Sequence, residues 1–235
     1  MTAVVGAEAT LVVNEVFGPT LQGEGPSCGR AAGFVRLARC NLACSFCDSR
    51  HSWDWDHYDP AVELREMPVA EILAKLDAMA VSLVVVTGGE PLLQQRHLAP
   101  LLEQVKTRGW RVEVETAGTV APTLADGLVD QWNVSPKLAN SGMPVERRFK
   151  PAALAELMAT GRAVFKFVVA SVDDLEEIDQ LVARHQLEPV WVMPEGTDSS
   201  TVVARLRELA GPVLARGWNL TPRLHILVWG DERGR

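Results

Sequence analysis

Positive charge is scarce in this chain. Lys and Arg number 23 against 30 Asp and Glu in 235 residues, a formal charge of −7, which leaves no basic footprint for nucleic acid or an anionic membrane. An acidic substrate must therefore be met by local Arg and Lys. No apolar run approaches the roughly 18 residues of a transmembrane helix, and the start Met1-Thr2-Ala3-Val4-Val5-Gly6-Ala7 has no basic n-region, so a cytoplasmic protein is expected. Cysteine is also sparse: four residues, three of them clustered, make a disulfide scaffold improbable and favour metal or redox use. Repeats and low-complexity segments are absent. What remains is 47% apolar sequence, enough to build the core of one α/β domain spanning 1–235.

The hydrophobic pattern alternates strand and helix. A first strand is expected over 10–17, then a long Gly- and Pro-bearing loop over 18–33, of a length that is usually functional inside a compact domain. Residues 33–39 form a second strand. Pro68, Val69, Ile72, Leu73, Leu76 and Met79 carry a helical stripe, followed by a buried-type strand over 82–87 and a helix over 94–107. Further strands are expected at 111–116, 131–134, 163–170, 189–193 and 224–229, with helices at 151–160, 172–185 and 199–216. About six such units are too few for a full eight-fold barrel, so a partial barrel of parallel strands is expected over 34–235, with 1–33 as an added strand and loop. In such folds chemistry gathers at the C-terminal strand ends. Those ends read Cys40 to Cys47, Thr87-Gly88-Gly89-Glu90, Glu115-Thr116, Ser135-Pro136-Lys137, Met193-Pro194-Glu195-Gly196 and Trp229-Gly230.

The sharpest signal is Cys40-x3-Cys44-x2-Cys47 directly after the second strand. Three thiolates on a four-iron cluster keep one iron without a protein ligand, where a small molecule can bind and receive an electron. The residues also leave open a zinc tetrahedron completed by His51 or His57, a metal-stabilised binding module with no activity, and a four-cysteine electron-transfer cluster using Cys28, which otherwise reads as a bystander in its loop. The acidic, aromatic stretch 53–59 fits a lid or a solvated loop equally and carries no assignment.

With an aromatic, Phe46, before the last cysteine, the motif resembles that of the radical S-adenosyl-L-methionine (SAM) superfamily. Gly88-Gly89-Glu90-Pro91 one strand later looks like its SAM-amino motif. Further segments resemble the 7-carboxy-7-deazaguanine synthase family: Leu21-Gln22-Gly23-Glu24-Gly25-Pro26, Gly29-Arg30, Phe34-Val35-Arg36-Leu37, Cys40-Asn41-Leu42, Cys47-Asp48-Ser49, Ser135-Pro136-Lys137 and the ending Pro222 to Gly230. The resemblance implies a [4Fe-4S] cluster on Cys40, Cys44 and Cys47 with SAM on the open iron. It implies a carbon–nitrogen lyase of queuosine biosynthesis, which contracts the ring of 6-carboxy-5,6,7,8-tetrahydropterin to 7-carboxy-7-deazaguanine with loss of ammonia. SAM is cleaved reductively, its radical takes a hydrogen from substrate C6, and the hydrogen is later returned. An activase of a glycyl-radical enzyme is the alternative within the same superfamily, distinguished by having no pterin-matched residues.

Carried over residue by residue, the resemblance places Phe46, Asp48, Gly88, Gly89, Glu90, Glu115, Ser135, Pro136, Lys137, Met193, Pro194 and Glu195 around SAM. It gives Leu21, Gln22, Gly23, Glu24, Arg36, Thr87 and His225 to the substrate, and no catalytic side chain beyond the cluster and SAM. Physically, Arg36 offers a planar donor fork to a carboxylate from an otherwise apolar strand, and Glu24 and Gln22 offer an acceptor carboxylate and an amide to a pterin edge of N–H donors and a carbonyl. Ser49 stands where the family has a threonine whose hydroxyl ligates Mg2+; serine is competent as a hard oxygen ligand but freer at χ1. The resemblance further implies a homodimer and an electron donor such as flavodoxin or ferredoxin.

Overall fold

The computed structural model describes residues 9–235; the start Met1 to Ala7 lies outside them. Among the described residues no helix is long and apolar enough to cross a membrane.

One open nine-stranded sheet, in the order β3-β1-β2-β4-β5-β6-β7-β8-β9, forms the framework. Strand β1 (Thr10–Leu21) runs antiparallel to β2 (Ala31–Leu37) on one side and to β3 (Arg65–Pro68) on the other. From β2 onward all pairings are parallel, through β4 (Leu83–Gly88), β5 (Arg111–Thr116), β6 (Gln131–Val134), β7 (Ala163–Val169), β8 (Val190–Pro194) and the short β9 (Asn219–Leu220). No pairing joins β9 to β3, so the barrel is partial, as expected. The helices are α1 (Pro60–Glu63), α2 (Val69–Ala78), α3 (Gln95–Thr107), α4 (Val145–Arg148), α5 (Pro151–Ala159), α6 (Asp174–His185), α7 (Ser199–Ala215) and α8 (Leu224–Trp229). The link from β5 to β6 carries none of them.

Period-two alternation sorts the side chains of each parallel strand. Val35 and Leu37, Val84 and Val86, Val112 and Val114, Trp132 and Val134, Phe165 and Phe167, and Val190 and Val192 all belong to the main core, which they share with helical Ile72, Leu76, Leu98, Leu101, Leu154, Ile178 and Leu209. The opposite parity therefore faces the barrel interior: Arg36, Thr87, Glu113 and Glu115, Asn133 and Ser135, Lys166 and Val168. Phe34 and Val85, with Ala32, Leu83 and Phe17, form a small apolar patch of their own on that face.

Three expectations need correction. The run 224–229 is a helix, not a strand: a six-residue apolar run has no period that separates the two. Its start is fixed by the Leu224 N–H donating to the Gly23 carbonyl at 2.8 Å, and its end is marked by Gly230 at φ 75°. The loop 18–33 is shorter than expected, since β1 continues to Leu21 and β2 begins at Ala31. Gln22 and Gly29 are tied across its neck, Gln22 N–H to Arg30 O and Gly29 N–H to Gln22 O, both at 2.8 Å. Finally, Pro68, expected in the first turn of a helix, ends strand β3, which extends the sheet beyond β1, and α2 begins one residue later at Val69.

Candidate active site

A cavity of about 410 Å³ opens at the C-terminal strand ends. The cysteine loop forms one wall. It leaves β2 through Arg39, which takes a left-handed φ of 75°, and it is clasped to the end of β4 by Gly89 N–H to Leu37 O (3.0 Å) and Glu90 N–H to Arg39 O (2.9 Å). The approach is backbone to backbone: a Cβ on Gly88 would lie 2.0 Å from the Leu37 oxygen, and one on Gly89 would lie 2.0 Å from the Arg39 oxygen. This contact requires the double glycine at that strand end.

Cys40, Cys44 and Cys47 all line the cavity, with Leu42, Phe46 and Ala117 beside them. The Leu42 amide and the Trp53 indole N–H donate to the sulfurs of Cys40 and Cys47 at 3.4 and 3.2 Å, the kind of N–H···S contact that tunes an iron–sulfur centre. Burial pushes all three thiols up, Cys40 to about 12, while the Lys137 charge opposes the rise at Cys44 and Cys47. Without metal they are thiols, and loading iron displaces their protons. This donor set fits a cluster. The two histidines that would complete a zinc tetrahedron lie against carboxylates instead. His57 is held by Asp54 at 3.0 Å, and His51 lies 3.7 Å from Glu15. Cys28 instead donates to the Gly23 carbonyl within the substrate loop.

Of the residues assigned to SAM, Phe46, Asp48, Gly88, Gly89, Glu115, Ser135, Lys137, Met193 and Glu195 line the cavity. Glu90, Pro136 and Pro194 are not on its wall. Glu90 is fully buried and accepts from Leu92 N–H, Thr116 Oγ1 and Ala117 N–H at 2.8–3.1 Å, so it braces β4 against β5 from behind the site. Glu115 is also engaged: its carboxylate accepts from Gln22 Nε2 at 3.1 Å and Thr87 Oγ1 at 2.8 Å. Lys137 donates to Ser135 Oγ at 2.9 Å, and Glu195 is paired with Arg205.

All seven residues assigned to the substrate are on the wall, and they fall into two zones of opposite character. Near the cysteine loop, Arg36 donates to Glu15 at 2.7 Å and to Ser49 Oγ at 2.8 Å, and Ser49 donates onward to Asp48 at 2.9 Å. Burial alone would raise the Glu15 carboxyl, but the nearby His51 ring and the charge and hydrogen bond of Arg36 outweigh it and bring it down to about 2. In the second zone Glu24 pairs with Lys166 on one oxygen and meets Arg223 Nε at 3.4 Å on the other. Arg223 also pairs with Asp48, linking the two zones. Burial opposes ionisation of Glu24, yet the Lys166 and Arg223 charges hold its carboxyl far below the usual range.

His225 faces this second zone from α8. Burial pushes it down, toward the neutral imidazole. A Cβ on Gly23 would sit 2.0 Å from its Nδ1, so the glycine is what lets the substrate loop lie against the ring. Sequence reasoning missed Lys166, Arg223, Glu15 and Trp53 on this wall. For Lys166 the signal was present: a lone charge at inward parity in Phe165-Lys166-Phe167.

Beneath the cavity Glu113, fully buried, accepts from Ser27 Oγ at 2.5 Å, from Arg111 at 2.9 Å and from Asn133 Nδ2 at 3.1 Å. The Gly25 N–H donates to Thr221 Oγ1 at 2.8 Å. The substrate loop is thus anchored inside the barrel at its own midpoint.

These features agree with what the chain is similar to. A model described as the radical SAM superfamily matches residues 35–185, from β2 through α6. A 7-carboxy-7-deazaguanine synthase of Pyrobaculum aerophilum is 42% identical, covering 95% of this chain and 96% of its own. One of Halobacterium salinarum is 36% identical over 96% and 93%. Among solved structures, QueE from Escherichia coli matches with a TM-score of 0.68 at 26% identity, covering 90% of this chain and 93% of that one. With the cysteine triplet, the glycine clasp and the full-length match all in one chain, this protein belongs to the radical SAM superfamily and, within it, to the 7-carboxy-7-deazaguanine synthase family.

Proposed function

We infer that the chain is a carbon–nitrogen lyase that converts 6-carboxy-5,6,7,8-tetrahydropterin to 7-carboxy-7-deazaguanine with loss of ammonia. The observation that carries this reading is the polarity of the cavity: a cationic Arg36 fork beside the cysteine loop, and an acceptor carboxylate, Glu24, in the second zone. A substrate with a carboxylate at one end and an N–H-rich edge at the other matches that polarity. When bound, the cluster on Cys40, Cys44 and Cys47 together with SAM supplies a reductively generated 5′-deoxyadenosyl radical.

The chain's own residues bind and orient. Arg36 takes the carboxylate, and Glu24 with the Gln22 amide takes the pyrimidine edge. The neutral His225 ring and Thr87 close the sides. Phe46, Asp48, Gly88, Gly89, Ser135, Lys137 and Met193 form the SAM-facing wall. Glu115, bonded to both Gln22 and Thr87, works between the SAM and substrate regions. An electron donor such as flavodoxin or ferredoxin and a second copy of the chain complete the reading.

Mg2+ belongs to the same reading. The Ser49 hydroxyl, buried and adjoining the ionised Asp48, is a hard oxygen donor on the wall nearest Arg36. It is suited to a cation that shares the substrate carboxylate and keeps most of its waters. Anaerobic assay of the reconstituted protein with SAM, reductant and the carboxy-tetrahydropterin, with and without Mg2+, tests the reading. The deazaguanine is expected, with Mg2+ stimulation lost in Ser49→Ala and kept in Ser49→Thr. A fully loaded cluster with no product sinks the function, and equal stimulation in Ser49→Ala sinks the metal assignment alone.

A further inference from the structure

We propose that Lys166 is a positioning residue for substrate recognition, fixing the Glu24 carboxylate so that its free lone pairs face the cavity. The proposal rests on the reading of Glu24 as the acceptor for the pterin edge. Lys166 lies in the middle of β7 with only 6% of its side chain exposed, and its neighbours Phe165 and Phe167 are packed into the outer core. The alternation of the strand leaves its ammonium no direction but the barrel interior. There it bonds Glu24 and lies 4.0 Å from Glu115.

Such a lysine is costly to bury unless it is paired. Three carboxylates, Glu24, Glu115 and Asp48, share two cations, Lys166 and Arg223, so the cluster retains net negative character toward the cavity. Each Glu24 oxygen has one cation, and a carboxylate oxygen with one donor still has acceptor capacity left. An N–H-rich edge therefore finds an ionised acceptor already held in one orientation. Lys166 and Arg223 divide the work. Arg223 is committed to Asp48 and to the Gly196 carbonyl at 2.6 Å, and it reaches Glu24 only at 3.4 Å. Lys166 makes the short contact, so the orientation of Glu24 depends on it.

Titratable and charged groups face Glu24 from every side: Lys166 from β7, Arg223 and His225 around the start of α8, Glu115 from β5, Asp48 from the cysteine loop and the Cys28 thiol from the substrate loop. The cations win, and Glu24 stays ionised throughout the neutral range. Without Lys166, burial and the neighbouring carboxylates pull the Glu24 carboxyl upward. Protonation would then compete with substrate binding as the pH falls.

The test is equilibrium binding of the carboxy-tetrahydropterin to the anaerobic, cluster-loaded protein with SAM and no reductant, so that nothing turns over, across pH 5.5 to 8. Wild type is expected to show no Glu24-linked loss in this range. Lys166→Met is expected to bind roughly tenfold or more weakly at neutral pH, the loss of one charged hydrogen bond, and to weaken further toward pH 5.5. Lys166→Arg is expected to recover most of the affinity and the flat profile. Lys166→Gln serves the same purpose if Lys166→Met does not fold with a full complement of iron. A neutral variant that folds, loads iron and binds like wild type at every pH overturns the proposal, as does an equal loss in Lys166→Arg. Wild-type protein that loads its cluster but does not bind the pterin, and does not convert it when reductant is added, instead overturns the function on which the proposal rests.

Discussion

Gly23 has no freedom to vary, because the His225 ring occupies the space a side chain would need. Gly23→Ala must push either the ring or the substrate loop, and overpacking of this kind costs about 1–3 kcal/mol. Pterin binding should weaken sharply while iron content is unchanged; unchanged binding in the variant would show that the loop and ring do not form one surface. At this scale part of the site could be read directly. Arg36 was legible because a charge on an apolar strand, at inward parity, has no solvent to go to. Lys166 and Glu113 carry the same mark on β7 and β5. Glu90 is a different case: its position after two glycines fits a ligand, whereas the fold sets it behind the cavity wall, where it accepts three internal hydrogen bonds. No spacing rule displays that.

Two loops act as elements in their own right. The cysteine loop is held by the glycine clasp, by Ser45 N–H to Ser141 O at 3.0 Å and by Asn41 to Thr119 at 3.0 Å. The substrate loop is held by its neck and by Ser27 on Glu113. Removing the hydroxyl in Ser27→Ala leaves a buried carboxylate oxygen short of a donor, worth about 2 kcal/mol. The expected result is a lower melting temperature and a raised KM for the pterin, with SAM affinity unaffected; an equal loss of affinity for SAM would place the anchor's role elsewhere. The parallel strands and long helices were legible because 3.6 and 2.0 periods differ over ten residues. α8 was not, because six apolar residues fit both, and what decides its form is a hydrogen bond to Gly23, some 200 positions earlier in the chain.

As a whole molecule, the protein is an open barrel whose interior is lined with ionised pairs, and this sets its response to acid. Glu15 has its folded pKa lowered from 4.5 to about 2. Its contribution is therefore complete above the ordinary carboxylate value and lost as the pH falls through that window, on the order of 3 kcal/mol. Urea unfolding of wild type and Glu15→Gln as a function of pH should show a difference at pH 6 that disappears toward pH 2. A difference independent of pH would mean that the pairing with Arg36 and His51 is not its source.

The division of labour between the cysteine wall and the two-zone substrate wall is most directly tested with substrate deuterated at C6. Incubated anaerobically with the loaded enzyme, reductant and less than one equivalent of SAM, it should yield more 7-carboxy-7-deazaguanine than SAM supplied, with deuterium passing into recovered SAM. Stoichiometric consumption of SAM to 5′-deoxyadenosine, with no deuterium transferred and no deazaguanine formed, would contradict the account.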